Sequence, residues 1–216
     1  MNTLRTICLA VTVGLLAPSL NGQVVEKQAP EVRFHTSAGS KLSVRGGAGL
    51  GQWQAETRIL SGTVEADARF LTGTRSSPPI KKAELFVPVR SLKSVGQSWE
   101  PYNEQINAVV YKQLRAEEFP RISFRLSELN AQDEDSPKKS PRRYEAQGDL
   151  AIAGVTNRVE FPVEITMVPR GLLRISGQAK VRMSDFKLRE RTLDCFADPD
   201  TVYLEFDWLL AQEKKR

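Results

Sequence analysis

The chain has 216 residues, of which 40% are hydrophobic and 26% are charged, and its formal net charge is +5. This composition is ordinary for one globular domain that can bury a core. The densest basic segment, "SPKKSPRR" at 136–143, has no interleaved aromatic residues. We therefore predict that it forms a solvated hairpin tip and not a nucleic-acid-binding surface. Weak attraction to an anionic membrane surface is compatible with the charge.

The first predicted element is a secretory leader at 1–22. Arg5 precedes a short apolar run, and small residues follow it up to Gly22, which is the order of a signal peptide. The run is too short to span a bilayer, so an uncleaved anchor or a buried N-terminal helix is the weaker alternative. We predict cleavage near Gly22, a mature domain at 23–216 and a periplasmic or secreted location. Cys195 is then the sole cysteine, which excludes an intramolecular disulfide.

Beyond the leader, apolar and polar residues alternate in segment after segment, which predicts half-buried antiparallel strands. The longest segments are 58–71 and 172–184, and 144–167 is predicted to form two strands joined by a tight turn. Only 101–120 departs from the period of two. There, Asn103 can cap a helix whose apolar residues recur at helical spacing.

Many long amphipathic strands and one helix predict an all-β fold and exclude a doubly wound α/β sheet. Consecutive hairpins favour an antiparallel up-and-down β-barrel of about eight strands, with one α-helix inserted, over a sandwich. A barrel of this size is either just filled by side chains or holds one ligand. The strand residues predicted to face the barrel interior include bulky aromatic residues as well as glycine and alanine. This mixture fits both a packed interior and an apolar cavity.

If the interior holds a ligand, the inward residues of the strands and of the helix form its wall. The small residues among them would leave the volume that the ligand needs. The candidate ligand-binding residues are Trp53, Val64, Ala66, Ala68, Phe70, Leu85, Val87, Ile106, Val110, Phe124, Leu150, Phe161, Ile175, Gly177, Ala179, Phe206 and Trp208.

The glycine-rich segment "RGGAGLG" at 45–51 superficially resembles a nucleotide-binding loop. Such a loop requires a following helix that offers its amide dipoles to phosphate. The segment that follows, "WQAETRIL", predicts a strand. A wide turn or bulge is therefore favoured over nucleotide binding.

Cys195 lies in an acidic segment with Asp194, Asp198 and Asp200. Their negative charge is expected to raise the pKa of the thiol and make it a poor nucleophile, and His35 is distant in the sequence. The aspartates also lack the spacing of a calcium loop, so a solvated turn is favoured. We therefore predict no catalytic residues, no metal ligands and no enzymatic activity.

The segment "YEAQGDLAIAGVTNRVEFPVEI" at 144–165 resembles the signature of the YceI-like proteins, which are exported bacterial lipocalin-like barrels associated with binding polyisoprenoids or other amphiphilic lipids. The segments "VPVRSLKS", "YKQLRAEEFPRISF" and "VRMSDFKL" also resemble family segments. In "KLSVRGGAGLGQWQAE", Gly51 and Gln52 stand where one branch of the family has His and Asp. A polar role of those two positions is therefore not expected here.

The resemblance implies a non-enzymatic barrel that sequesters or carries a long apolar ligand, such as a polyisoprenoid or an isoprenoid quinone, and that uses no other cofactor. Each methylene removed from water would contribute about 0.8 kcal/mol, so chain length would dominate affinity. The expected partner is a lipid or other amphiphilic small molecule, with transient contact with a membrane surface and no nucleic acid. The alternative is a packed interaction module of the cell envelope. The sequence leaves the oligomeric state, including a homodimer, open.

Overall fold

Alternation of apolar and polar residues folds the described part of the chain into strands. The structure is a computed structural model, and it describes residues 31–46, 53–68, 80–95, 104–132, 142–188 and 200–213. In chain order the strands are β1 (Glu31–Thr36), β2 (Lys41–Gly46), β3 (Trp53–Thr57), β4 (Ser61–Asp67), β5 (Ile80–Pro88), β6 (Lys93–Ser94), β7 (Arg121–Ala131), β8 (Arg142–Ile152), β9 (Val155–Val168), β10 (Leu172–Arg182) and β11 (Thr201–Gln212). An α-helix, α1 (Glu104–Gln113), lies between β6 and β7 in the sequence.

Eight of these strands close into a barrel. Their order around the ring is β1, β4, β5, β7, β8, β9, β10 and β11, and the pairing of β11 with β1 completes it. All the pairings are antiparallel. From β7 to β11 each strand pairs with the next one in the sequence, as in an up-and-down meander. The predicted all-β barrel of about eight strands with an inserted helix is therefore confirmed.

The remaining strands, β2, β3 and β6, extend the ring at one end. One edge of β11 pairs with β1 near residue 211 and with β2 along 202–207, so β1 and β2 act as one interrupted strand. Buried Ser40 fixes this interruption: its hydroxyl accepts a hydrogen bond from the N–H of Leu209 (3.0 Å) and donates one to the carbonyl of Ser37 (2.9 Å). In the same way, β3 continues β4 and β6 continues β5.

These interruptions correct one predicted strand length. The sequence suggests a single strand over 58–71, but 58–60 separate β3 from β4, and β4 ends at Asp67. The hydroxyl of Thr57 accepts a hydrogen bond from the N–H of Ile59 (2.9 Å), which bends the chain away from the ladder at this point. The predicted strand over 172–184 corresponds to β10.

The helix α1 covers the side of β6 that no other described strand pairs with. Tyr111 anchors it, because its hydroxyl lies 3.0 Å from the carbonyl of Arg90 and 2.8 Å from that of Leu92. The helix predicted within 101–120 is confirmed, whereas Asn103 lies outside the described residues. We call the end of the barrel that carries α1 and β6 the helix end.

β8 and β9 form a long hairpin. Ile152 pairs with Val155, and the two residues between them, Ala153 and Gly154, have φ of 49° and 82°. Two positive φ angles are typical of a type I′ turn, whose twist matches that of the flanking strands. The predicted tight turn is therefore confirmed.

Inward side chains of the barrel strands form the core. Phe34, Val64, Leu173 and Leu210 have no exposed surface and belong to one large hydrophobic cluster. None of the helices in the described ranges combines the length and the apolar character needed to cross a bilayer.

Candidate functional site: an apolar cavity inside the barrel

The barrel encloses a cavity of about 680 Å³. Its wall is formed by inward side chains of the strands, by one face of α1 and by the 3₁₀ turn Met183–Phe186 after β10. A volume of this size falls in the range of about 300–1,000 Å³ that small-molecule sites occupy. Of the two interiors that the sequence allows, the structure thus has the one with space for a ligand.

Most of the sequence-predicted residues meet on this wall because alternation turns every second side chain of a strand inward. They come from seven strands and from the helix. Those lining the cavity are Trp53, Leu85, Val87, Val110, Phe124, Leu150, Phe161, Ile175, Ala179, Phe206 and Trp208.

The other predicted residues lie elsewhere. Val64 and Ala66 are fully buried in the core and are not among the residues that line the cavity. Ala68 is half-buried just beyond the end of β4. Phe70 and the side chain of Ile106 lie outside what the structure describes.

Gly177 does not line the cavity, and the space over it is taken by the carbonyl oxygen of Pro162 and by an aromatic ring. A Cβ on Gly177 would come within 2.9 Å of Cζ of Phe206 on the paired strand, and one on Gly148 would come within 2.6 Å of the ring of Phe124. Glycine thus lets the rings lie against the wall, an arrangement known to stabilise sheet glycines. Of these two small residues, Ala179 lines the cavity and Gly177 does not.

Three phenylalanines line one side of the cavity as a continuous aromatic surface. The ring centroids of Phe124 and Phe161 are 5.2 Å apart, and those of Phe161 and Phe206 are 5.7 Å apart. The second pair is edge to face, and both separations suit favourable aromatic contact. This surface is rigid because β7 to β11 carry it on one continuous ladder.

Sequence reasoning missed several lining residues at the helix end. Leu114 follows the helix, and Met183, Phe186 and Leu188 belong to or follow the 3₁₀ turn after β10. Leu114 falls at helical spacing within 101–120, which gave a signal, whereas no strand period identifies residues of a turn and only apolar character in "VRMSDFKL" gave a signal for the other three.

The polar side chains of the wall lie at the helix end. They are Gln54 on β3, Ser94 on β6, Gln105, Asn107 and Gln113 on or at the end of α1, and Arg182 at the end of β10. The rest of the wall is almost entirely apolar. The cavity is therefore amphipathic, with its polar groups at one end.

The cavity reaches the surface beside α1. Val109 lines it and is nevertheless 54% exposed, and Gln105 lines it and is exposed as well. Arg182, which also lines this end, donates two hydrogen bonds to the carboxylate of Asp185 (3.1 and 3.3 Å). Its positive charge is thus paired within the protein.

The outer face of β2, β10 and β11 carries ion pairs instead of apolar side chains. Arg174 donates to both carboxylate oxygens of Asp207 (2.8 and 2.5 Å), and this hydrogen bonding raises the pKa of Arg174. The ammonium of Lys41 lies 2.8 Å from Oε1 of Glu56. These ion pairs place charged, solvated side chains on the outer face and help to fix the register of the paired strands.

The features that could have carried chemistry either make structural contacts or lie outside the described residues. The carboxylate of Asp200 accepts hydrogen bonds from the N–H (2.7 Å) and hydroxyl (2.6 Å) of Ser184, so it caps a turn. Nε2 of His35 faces Glu213 at 3.3 Å. Cys195, Asp194, Asp198, the glycine-rich loop at 47–52 and the tip at 136–141 lie outside these residues, within which no metal-binding cluster occurs.

Comparisons with known proteins agree with this architecture. Residues 25–208 match the family model of the YceI-like domain. Burkholderia cenocepacia BcnA superposes with a TM-score of 0.61 at 18% identity, covering 80% of this chain and 96% of that one. A polyisoprenoid binding domain from Saccharophagus degradans, implicated in plant cell wall breakdown, gives 0.59 at 11% identity, with 84% and 98% covered.

A third similar structure, the Campylobacter jejuni YceI protein, has a TM-score of 0.51 at 18% identity and covers 74% of this chain and 84% of its own. At these identities the likeness shows a shared fold. No curated protein matches the chain.

Proposed function

The chain belongs to the YceI-like family, and from that premise we propose that it sequesters or carries a long apolar lipid inside its barrel without transforming it. A polyisoprenoid or an isoprenoid quinone is the ligand class we favour. The apolar cavity of about 680 Å³ is the observation that carries the proposal. The polyisoprenoid binding domain of similar fold adds support for this ligand class.

Burial of the hydrocarbon chain would provide the binding free energy. Each methylene that leaves water contributes about 0.8 kcal/mol, so several isoprene units would exceed the cost of ordering the chain. The aromatic surface of Phe124, Phe161 and Phe206 supplies a rigid wall against which a planar double bond can pack. The barrel is held by a closed ladder, and this pre-organisation reduces the cost of binding.

We infer that the lipid enters at the helix end. Val95 and Val109 are exposed there, 41% and 54% respectively, and Val109 also lines the cavity. Transient contact of this end with a membrane would let a lipid pass from the bilayer into the cavity with little of its chain exposed to water.

The proposed function requires the protein to be in the compartment that contains the lipid. We infer export by the leader at 1–22 to the periplasm or the medium, on the strength of its charge and its short apolar run. The ligand, the location and the absence of catalysis are all parts of this proposal.

Mass spectrometry of an organic extract tests the proposal. The full chain is expressed with its leader, purified without detergent and extracted, and an exported protein of other fold from the same cells serves as the control. We expect one isoprenoid or similar lipid in near-stoichiometric amount, and none in the control. An empty extract from protein that also fails to load a polyisoprenoid analogue would overturn the proposal and favour an interaction module.

A further inference from the structure

Asn107 is the buried polar side chain of the cavity wall. It is 4% exposed, lies in α1 and contributes to the helix end of the cavity. Its Oδ1 accepts a hydrogen bond of 2.8 Å from the backbone N–H of Ser94 on β6. This bond ties the helix to the barrel where the polar lining residues are gathered.

The hydrogen bond to Ser94 also fixes which way the amide of Asn107 points. A backbone N–H can only donate, so the atom that faces it must be the oxygen, and Nδ2 occupies the other position. Nδ2 is buried and has no hydrogen-bond partner within the described part of the chain. A buried N–H without an acceptor destabilises a protein, and such groups usually mark a missing partner.

We propose that Asn107 Nδ2 donates a hydrogen bond to a neutral oxygen, such as a ketone or amide carbonyl, at the polar end of the bound lipid. The inference rests on the proposed function, since it assigns an orientation to the same ligand. The lipid then lies with its oxygen at the helix end and its hydrocarbon chain along the aromatic surface. Small side-chain adjustments of the kind that commonly accompany binding bring the two atoms together.

Charge at this end of the cavity favours a neutral acceptor over an anion. Arg182 is the cationic residue of the wall, and its guanidinium is already paired with Asp185. An anionic head group would therefore be buried beside a neutral amide without a counter-charge of its own, which is costly. A neutral carbonyl needs one donor, and Asn107 supplies it.

Three isoprenoid probes of equal length test the inference: a methyl ketone, the hydrocarbon in which a methylene replaces the carbonyl, and the carboxylic acid. Affinities are measured by competition with a fluorescent lipid, in wild type and in Asn107→Asp. When ionised, the aspartate keeps an acceptor for Ser94 and loses the donor. The ketone-to-hydrocarbon affinity ratio should fall by about threefold to tenfold in the variant, the range of one neutral hydrogen bond.

Two controls separate the hydrogen bond from other effects. Asn130→Asp makes the same chemical change on the exposed outer face of β7 and should leave the ratio unchanged. In wild type, isotope-edited infrared spectroscopy of a ¹³C-labelled ketone should show its carbonyl band shifted to lower frequency on binding. This measurement does not depend on whether the variant folds.

The carboxylic acid probe should bind more tightly as the pH falls, because the acid then becomes neutral.

The outcomes separate this inference from the proposed function. If no probe binds, the proposed function fails. If ketone and hydrocarbon both bind, but the carbonyl band is unshifted or the ratio is the same in Asn107→Asp, the lipid-binding function stands and the role of Asn107 is overturned. Tighter binding of the ionised acid than of the neutral acid would overturn the preference for a neutral oxygen.

Discussion

The ring of Phe119, which follows α1, occupies the space where a side chain on Gly154 would be. A Cβ on Gly154 would come within 2.6 Å of Cε1 of that ring, and Gly154 also has a φ of +82°. Two of the segments that resemble the family signature, "EEFPRISF" and "AGVTNR", thus meet in space. This contact joins the β8–β9 turn to the segment that leads from α1 into β7.

Gly154→Ala should therefore destabilise the barrel. The methyl group meets an aromatic ring, and alanine is strained at positive φ, so we expect a loss of about 1–3 kcal/mol in the free energy of unfolding. Urea denaturation followed by tryptophan fluorescence measures it.

The neighbouring residue provides the control for this turn. Ala153→Gly relieves a positive φ of 49° and removes one buried methyl group, two effects of opposite sign, so it should change stability less than Gly154→Ala does. Equal stability of Gly154→Ala and wild type would show that Phe119 moves freely and does not hold the turn.

The strands and the barrel could be predicted because burial of one sheet face imposes a period of two on residues such as Leu150 and Phe161. The interruption at Ser40 could not, since it depends on a contact with Leu209, far away in the sequence. The same limit applies to the site. Alternation places Gly177 on the inner face, but only the cross-strand pair with Phe206 shows that a ring fills its space. Asn107 gave no signal, because the missing partner of its amide is a property of three-dimensional packing.

Gly177→Ala tests that packing. A Cβ there would lie 2.6 Å from the carbonyl oxygen of Pro162, a backbone atom that cannot rotate away, and 2.9 Å from the Phe206 ring. We expect a loss of about 1–3 kcal/mol, as is usual for overpacking. Ser176→Ala, on the outer face of the same strand, should be nearly neutral in the same denaturation experiment. A Gly177→Ala protein as stable as wild type would contradict the close approach.

Glu56 should contribute to acid sensitivity. Burial raises the pKa of its carboxyl, but the hydrogen bond and charge of Lys41, with hydrogen bonds from Ser43 and Gln54, outweigh this and hold the pKa below its ordinary value of 4.5. Because the folded-state pKa is the lower one, the stabilisation is complete above the unfolded value and is lost as the pH falls through the folded value.

In Glu56→Gln, the difference in stability from wild type should be largest near neutral pH, at up to about 1 kcal/mol, and should shrink below pH 4.5. Melting temperatures of the two proteins in buffers from about pH 3 to about pH 7 measure this difference. Glu160→Gln makes the same substitution at an exposed position of β9 and is the matched control. A constant difference for Glu56→Gln at all pH values would contradict the assignment.

Exported protein should begin near Gln23. The charge and the short apolar run of 1–22 suit a cleaved signal peptide and not a permanent anchor. Intact-mass measurement on the secreted or periplasmic fraction determines the first residue. Retention of 1–22 would contradict the proposed export and cleavage.

Ala179 offers the most direct test of the cavity. It is 8% exposed, lies on β10 opposite Leu204 and lines the cavity wall. Its neighbour Lys180 points to the outer face, where its ammonium lies 5.8 Å from the centroid of the Tyr203 ring. The two positions therefore present the same substitution to the inside and to the outside of one strand.

Ala179→Trp should leave the barrel folded and abolish lipid binding, because the indole enters a space of about 680 Å³ that the lipid needs. In a filled interior the same change would overpack the core, at a cost of typically about 1–3 kcal/mol. Melting temperature of the delipidated protein and fluorescence titration with a polyisoprenoid analogue distinguish the two cases. Lys180→Trp adds the same ring outside the barrel and should keep wild-type affinity. A clearly destabilised Ala179→Trp, with a wild type that never binds the analogue, would refute the carrier function, since the interior would then have no room for a lipid.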